Sequence, residues 1–115
     1  MVYDNPMMID ENTVHAVLAD INDRVFAGEL PLELIDIDID FLDTEWGFCV
    51  DEGDRIILGL TNEFRSRKQM IAIIVHEMIH AMQIYNDVGV SHDTALWDHY
   101  INVAKGCGVN VNVSE

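Results

Sequence analysis

The spacing of hydrophobic residues along the chain changes from a helical pattern to an alternating one and back again. Residues 10–26 carry apolar side chains at intervals of three and four, which predicts an amphipathic helix from Asp10 to Phe26. Gly28 is a suitable C-terminal cap, and Pro31 prevents the helix from continuing. The apolar positions of this predicted helix are Val14, Val17, Leu18, Ile21, Val25 and Phe26.

A strict alternation from Leu34 to Phe41 predicts a half-buried strand. Its apolar residues form one face and its aspartates form the solvent face, where neighbouring like charges repel each other. Gly47–Val50 and Arg55–Leu60 are predicted as two further strands, and the turn at 51–54 between them favours a hairpin. The alternating residues are Ile35, Ile37, Ile39 and Phe41 against Asp36, Asp38 and Asp40.

Two helices complete the predicted order of elements. Lys68–Asn86 is apolar on nearly all sides over its first half, which is typical of a helix buried in a core, and Thr61 or Asn62 is its expected N-cap. Asp93–Lys105 is the last predicted helix. A helix, three strands and two helices indicate an α+β fold with a small antiparallel or mixed sheet packed on one or two helices.

The size and composition of the chain favour one domain over residues 1–115, since 115 residues that are 50% hydrophobic suit a single core. The longest apolar run, Met70–Val75, is too short to span a membrane, and residues 1–10 contain no secretory signal. Cys49 and Cys107 cannot form a disulfide framework, so we expect a cytoplasmic protein with both thiols reduced and buried. The alternating Val109, Val111 and Val113 predict a short strand or a frayed end.

The charge is strongly acidic and unevenly distributed. The net charge is −15, and residues 1–54 hold 15 of the 21 acidic residues but only one basic residue, Arg24. Direct binding to nucleic acid or to an anionic membrane is therefore not expected. The acidic half is either a solvated surface that keeps the protein soluble or a recognition surface for a basic or DNA-binding protein. The acidic residues nearest the predicted strands are Asp36, Asp38, Asp40, Asp43, Glu45, Asp51, Glu52 and Asp54.

The central helix contains the motif His76-Glu77-Met78-Ile79-His80. Positions i and i+4 lie on the same helix face, so both imidazoles can reach one metal ion at about 2 Å. Glu77 lies about 100° around the helix, where its carboxylate can take a proton from water at the metal. An otherwise apolar helix has no reason to bury three such groups together unless they have a function.

A third metal ligand has to come from outside this motif, since hydrolytic zinc sites usually use three protein ligands. Gln83 and Asn86 stand where the long zincin signature has its glycine and further histidine. A helix–loop–helix return favours His92, and we expect a structural role for the lone His15 of the first helix. The remaining alternatives for the third ligand are His99, Asp93 and Asp98.

The chain resembles the SprT-like metallopeptidase family, which includes the Spartan proteases, from about Ile21 to Gly108. The matching segments are Ile21-Asn22, Phe26-Ala27-Gly28-Glu29-Leu30-Pro31, Trp46-Gly47-Phe48-Cys49, Arg55-Ile56-Ile57-Leu58 and Val75-His76-Glu77-Met78-Ile79-His80-Ala81, followed by His92 and Leu96. The resemblance implies a minimal zincin fold, in which a small three-stranded sheet packs on a central H-E-x-x-H helix with flanking helices.

The same resemblance implies a zinc metalloendopeptidase that cleaves protein or peptide substrates, DNA-associated proteins among them. Zinc would be bound by His76, His80 and His92, with Glu77 as the general base. An edge strand of the sheet would hold an extended peptide by strand addition, and Arg55–Leu60 is our candidate for that edge.

Some features of the family are missing from this sequence. Ser91, preceded by Val90, stands where the family often has glycine, and two cysteines do not suffice for a four-cysteine zinc ribbon. Because ribbons and basic segments bind DNA in Spartan-type enzymes, the resemblance does not carry activation by DNA over to this acidic chain. The alternative hypothesis is an acidic protein-binding or DNA-mimic module on a zinc-stabilised zincin scaffold.

Overall fold

Three helices and five strands form within residues 7–111, which is the region that the computed structural model describes, with side chains from residue 8 onward. This is an α+β arrangement, as the order of the predicted elements indicates. The elements are β1 Met7–Met8, α1 Glu11–Val25, a 3-10 turn Leu32–Leu34, β2 Ile35–Ile39, β3 Gly47–Asp51, β4 Ile56–Leu60, β5 Glu63–Phe64, α2 Arg67–Tyr85 and α3 Ala95–Gly106.

Helix α1 agrees with the prediction to within one residue at each end. Asp10 is its N-cap, because the Asp10 carboxylate accepts a hydrogen bond of 2.8 Å from the backbone N–H of Thr13. Beyond the helix, Ala27 and Gly28 both adopt left-handed backbone angles, with φ of +54° and +74°. The Gly28 N–H then donates to the carbonyl of Asn22 at 2.8 Å and closes the end of the helix.

The side chain of Asn22 fastens this turn to the rest of the molecule. It is 7% exposed, and its amide nitrogen donates to the Leu30 carbonyl at 3.0 Å while its oxygen accepts from the Leu30 N–H at 3.1 Å. The turn that follows α1 is therefore fixed to the helix at Leu30.

The sheet has the strand order β2-β4-β3, in which β4 pairs parallel with β2 and antiparallel with β3. The predicted hairpin of β3 and β4 is confirmed, and the sheet is mixed. On β2 the aspartates point outward as predicted, and Asp36 forms two hydrogen bonds of 2.7 Å with Arg55. The positive charge of Arg55 partly offsets the repulsion expected between the aspartates on this face of β2. The Arg55 guanidinium also lowers the pKa of Asp36.

The prediction that Arg55–Leu60 is an edge strand is wrong. Strand β4 covers residues 56–60 and has a hydrogen-bonded neighbour on each side, so it cannot accept another strand. Its sequence explains this position, because Leu58 and Leu60 are fully buried and a continuous apolar run is typical of a strand covered on both faces. Among the strands that the structure describes, the edges of this sheet are β2 and β3.

Helix α2 is the most buried element, but its predicted N-cap is also wrong. The cap is Ser66, whose hydroxyl accepts from the Gln69 N–H at 3.1 Å. Thr61 is buried before β5, and its hydroxyl accepts instead from the Leu42 N–H at 3.3 Å. The helix contacts β3 and β4 of the sheet as well as α1 and α3. Its fully buried residues include Met70, Ile74, Val75, Met78, Ile79 and Ala81.

Helix α3 is capped by Thr94 and packs on α1 and α2. The predicted strand at Val109 and Val111 does not form; Val111 is a buried turn residue, and Val113 lies outside the described residues. Within residues 7–111, no helix is both long and apolar enough to cross a membrane.

Replacing Asn22 with alanine should lower the free energy of unfolding by about 1–3 kcal/mol, because the peptide groups of Leu30 then lose their buried partners. Urea denaturation measures this change. Asn12→Ala is the matched control, since Asn12 is an exposed residue of the same helix. Equal stability of the two variants would contradict the structural role of Asn22.

Candidate metal centre

The histidines of the H-E-x-x-H motif lie on one face of α2, where the helix meets the start of α3. Since the two positions are four residues apart, the His76 and His80 rings are neighbours, with centroids 5.0 Å apart. His76 is 9% exposed and His80 is half-buried. Both rings therefore lie at the margin of the core, where a bound ion would be partly shielded from solvent.

A short return of the chain brings His92 to the same place. After α2 the backbone reverses at Asp87, which has a φ of +58°, and His92 stands just before α3. The Nε2 atoms of His80 and His92 are 3.2 Å apart, and the His92 ring lies 5.0 Å from that of His76. One ring nitrogen from each of the three histidines lies within 4.8 Å of the other two.

This arrangement fits a tetrahedral metal ion. Two imidazole nitrogens at zinc–nitrogen distances of about 2.0–2.1 Å are separated by about 3.3–3.4 Å in tetrahedral geometry. The observed 3.2 Å between the Nε2 atoms of His80 and His92 is close to that value. Three imidazoles with a fourth position open is also the ligand set of catalytic rather than structural zinc. The residues present therefore fit a zinc ion.

The structure does not bring the alternative ligands into this cluster. His99 is exposed on α3 with its ring against Tyr100, and Asp93 accepts a hydrogen bond from the Ser91 hydroxyl. Asp98 is exposed on α3, and His15 is exposed on α1. Within residues 8–111, no other group of three His, Cys, Asp or Glu side chains converges as the three histidines do.

Glu77 lies beside the cluster and against strand β3. Its side chain is buried, with 7% exposed, and a Cβ atom at Gly47 would lie 3.2 Å from the Glu77 Cγ. The same Cβ would lie 2.9 Å from the backbone oxygen of Gly59. A side chain at position 47 would thus collide with the backbone of β4 and crowd the Glu77 side chain, so glycine is required where β3 passes Glu77.

Cys49 follows Gly47 on the same face of β3. Burial raises the pKa of its thiol to about 12, and the negative charges of Glu77 and Asp51 add to the effect. The thiol is therefore protonated at neutral pH and is a poor metal ligand in that state. Cys49 and Cys107 are both free, as expected, but the prediction that both are buried is wrong because Cys107 is exposed.

Two residues of the site were not singled out by the sequence analysis. Trp97 is 6% exposed, and its ring lies 5.1 Å from His76, 5.2 Å from His80 and 4.5 Å from His92. It forms an apolar wall that strengthens electrostatic interactions at the cluster. From sequence it was only one of several apolar residues in α3.

The second residue is Gln83, whose Oε1 atom lies 2.7 Å from the Nδ1 of His80. Burial lowers the pKa of His80, and nearby His92 lowers it further, while the hydrogen bond to Gln83 acts in the opposite direction. A lowered pKa keeps the imidazole neutral, which is the form that binds a metal. The sequence did contain a signal for this role of Gln83, since it is a polar residue in an apolar helix and lies three positions after His80.

Neither a comparison with models of known protein families nor one with curated proteins gives a match for this chain. The SprT-like assignment therefore stays a prediction that rests on the motifs in the sequence.

Replacing His92 with alanine should weaken zinc binding by more than about 100-fold, because one of three ligands is lost and even partners of ligands account for 10–100-fold. Isothermal titration of the metal-free protein with zinc measures this loss. His99→Ala is the control, since His99 is exposed on α3 outside the cluster, and it should bind as the wild type does. If His99→Ala rather than His92→Ala loses affinity, the ligand set is wrong.

Proposed function

We propose that this protein is a zinc-dependent metallopeptidase of the SprT-like type, which hydrolyses peptide bonds in protein substrates. One observation carries the proposal: three histidines converge on one point, and a buried glutamate directly follows the first of them on the same helix. A purely structural zinc site would have four protein ligands and no need for that carboxylate.

In this proposal His76, His80 and His92 hold the zinc ion. When bound, zinc supplies a Lewis acid that polarises the scissile carbonyl and lowers the pKa of the attacking water. The carboxylate of Glu77 takes a proton from this water while the oxygen of the water forms a bond to the carbonyl carbon of the substrate. Glu77 then passes the proton to the amide nitrogen as the C–N bond breaks, so that an acid and an amine leave.

The position of Glu77 also supports a site for the substrate. Its side chain packs on β3, which is an edge strand of the sheet and antiparallel to β4. We propose that an extended peptide adds to the free edge of β3, in place of the Arg55–Leu60 strand that the sequence favoured. A peptide bound there runs beside the proposed general base.

A groove next to β3 favours basic residues in the substrate. It has a volume of about 240 Å³ and lies between β3 and the segment that leads to His92. Asp51 and Asp87 provide carboxylates on its two sides, and Ile84 and Val88 provide apolar wall. Such a groove suits the aliphatic stem and charged end of lysine or arginine.

The acidic half of the chain supports the same preference at longer range. Asp38, Asp40 and Asp43 are all exposed, and such a surface attracts basic proteins, including proteins that bind DNA. The proposed role of this surface is to recruit a basic substrate to the peptidase site. An acidic binding module and a protease are therefore compatible in one molecule.

Glu77→Gln should lower the rate of casein cleavage by about 100- to 10,000-fold, because general base catalysis contributes a factor of that size. The zinc ligands are untouched, so zinc binding should persist. Product peptides are identified by mass spectrometry at a fixed zinc concentration. Glu33→Gln, a change at an exposed residue, is the control and should cleave at the wild-type rate. Undiminished cleavage by Glu77→Gln would falsify the mechanism.

The double variant Asp51→Asn, Asp87→Asn should reduce the preference for a lysine-containing peptide over its norleucine analogue by several-fold, since two charges leave the groove. Asparagine tolerates the left-handed backbone of residue 87. The ratio of kcat/KM for the two peptides measures the effect. Asp54→Asn, in the exposed hairpin turn, should leave the ratio unchanged. A double variant with the wild-type ratio excludes the groove as the source of selectivity.

A further inference from the structure

Gln83 is a fully buried polar side chain with every part of its amide used. It is 0% exposed, and its Oε1 atom lies 2.7 Å from the Nδ1 of His80. Its Nε2 atom donates to the Ser91 carbonyl at 2.8 Å and to the Thr94 hydroxyl at 2.9 Å. Burying an amide in an apolar helix destabilises the fold unless all hydrogen bonds of the amide are formed. In Gln83 all of them are formed.

These contacts determine which way round the amide lies. A backbone carbonyl such as that of Ser91 can only accept a hydrogen bond, so the nitrogen of Gln83 must face it. The amide oxygen then faces His80 and requires a proton on Nδ1. His80 is thereby held as the tautomer whose Nε2 carries a lone pair, and this Nε2 is the atom 3.2 Å from the Nε2 of His92.

The amide nitrogen of Gln83 holds the segment that carries His92. Ser91 directly precedes His92, and the Thr94 hydroxyl also caps α3 by accepting from the Trp97 N–H at 3.1 Å. The backbone of residue 83 contributes as well, because its carbonyl accepts from the Val88 N–H at 2.9 Å. One residue of α2 is therefore bonded to the segment on both sides of His92.

We propose that Gln83 is the positioning residue of the candidate metal centre: its single amide fixes the tautomer of His80 and ties the His92 segment to α2, so that two ligands are set before a metal binds. This inference deepens the proposed function and rests on the same three histidines. Its physical benefit is that the entropy of ordering the loop is lost on folding and not on metal binding.

Gln83→Met tests the proposal, because methionine has a similar length but cannot form the three hydrogen bonds. Zinc affinity, measured by competition with a chromophoric chelator, should fall by about 10- to 100-fold. In the metal-free variant, long-range proton–nitrogen NMR spectra should show His80 as a mixture of tautomers, whereas the wild type shows the Nδ1–H form. Circular dichroism establishes that the variant is folded.

Gln69→Met is the matched control, since it makes the same change on the same helix. Gln69 accepts one hydrogen bond from the Arg65 N–H, far from the histidines, so zinc affinity should be unchanged. A second pair tests the link to the His92 segment: Thr94→Val removes both the bond from Gln83 and the cap of α3, so zinc affinity should fall while His80 keeps its tautomer. Thr94→Ser keeps the hydroxyl and should bind zinc as the wild type does.

Wild-type zinc affinity and a fixed His80 tautomer in Gln83→Met would overturn the proposal, as would an equal loss of affinity in Gln69→Met. The tautomer measurement is independent of zinc. If the wild-type protein binds no zinc, the proposed peptidase fails, yet the His80 tautomer in the metal-free protein still decides for or against Gln83.

Discussion

The constraint that shapes this molecule is that α2 is buried on nearly every side while its second half carries four polar side chains, His76, Glu77, His80 and Gln83. Burying a polar group without a hydrogen-bond partner lowers the stability of the fold by more than most single apolar contacts raise it. Each of the four side chains therefore needs a partner from the surrounding elements. Gln83 meets this demand for His80 and for itself by bonding to the loop before α3. Glu77 is accommodated because β3 has a glycine beside it. The packing of the sheet and of α3 against α2 is thus inseparable from the candidate metal centre.

The mixed sheet places its two kinds of strand in different roles. Strand β4 is apolar and central, and α2 packs against both it and β3. Strand β3 is an edge whose α2 face carries Gly47, Cys49 and Asp51, so small and acidic groups line the region next to Glu77. An edge with free peptide groups beside a carboxylate can receive an extended chain, which is why the proposed substrate site moves from β4 to β3.

Local patterns predicted the elements well, and long-range pairing was what the sequence could not supply. The bounds of α1 were correct to one residue, because capping by Asp10 and apolar spacing are properties of neighbouring residues. The central place of β4 depends on its parallel pairing with β2, about twenty residues away, which no local pattern records. Thr61 could not be excluded as a helix cap until its bond to Leu42 was known. In the same way, the sequence left four candidates for the third ligand. The path of the chain from α2 into α3 places only His92 beside His76 and His80.

The contact of Trp97 with all three imidazoles has a practical consequence. Indole emission is sensitive to charge and to polarity in its immediate surroundings, and here the fluorophore touches every member of the cluster. The other indole, Trp46, is stacked on Phe64 with Arg65 above it, at a different place in the fold. The molecule therefore contains its own optical probe, and the light it emits should report whether the three rings have closed around an ion.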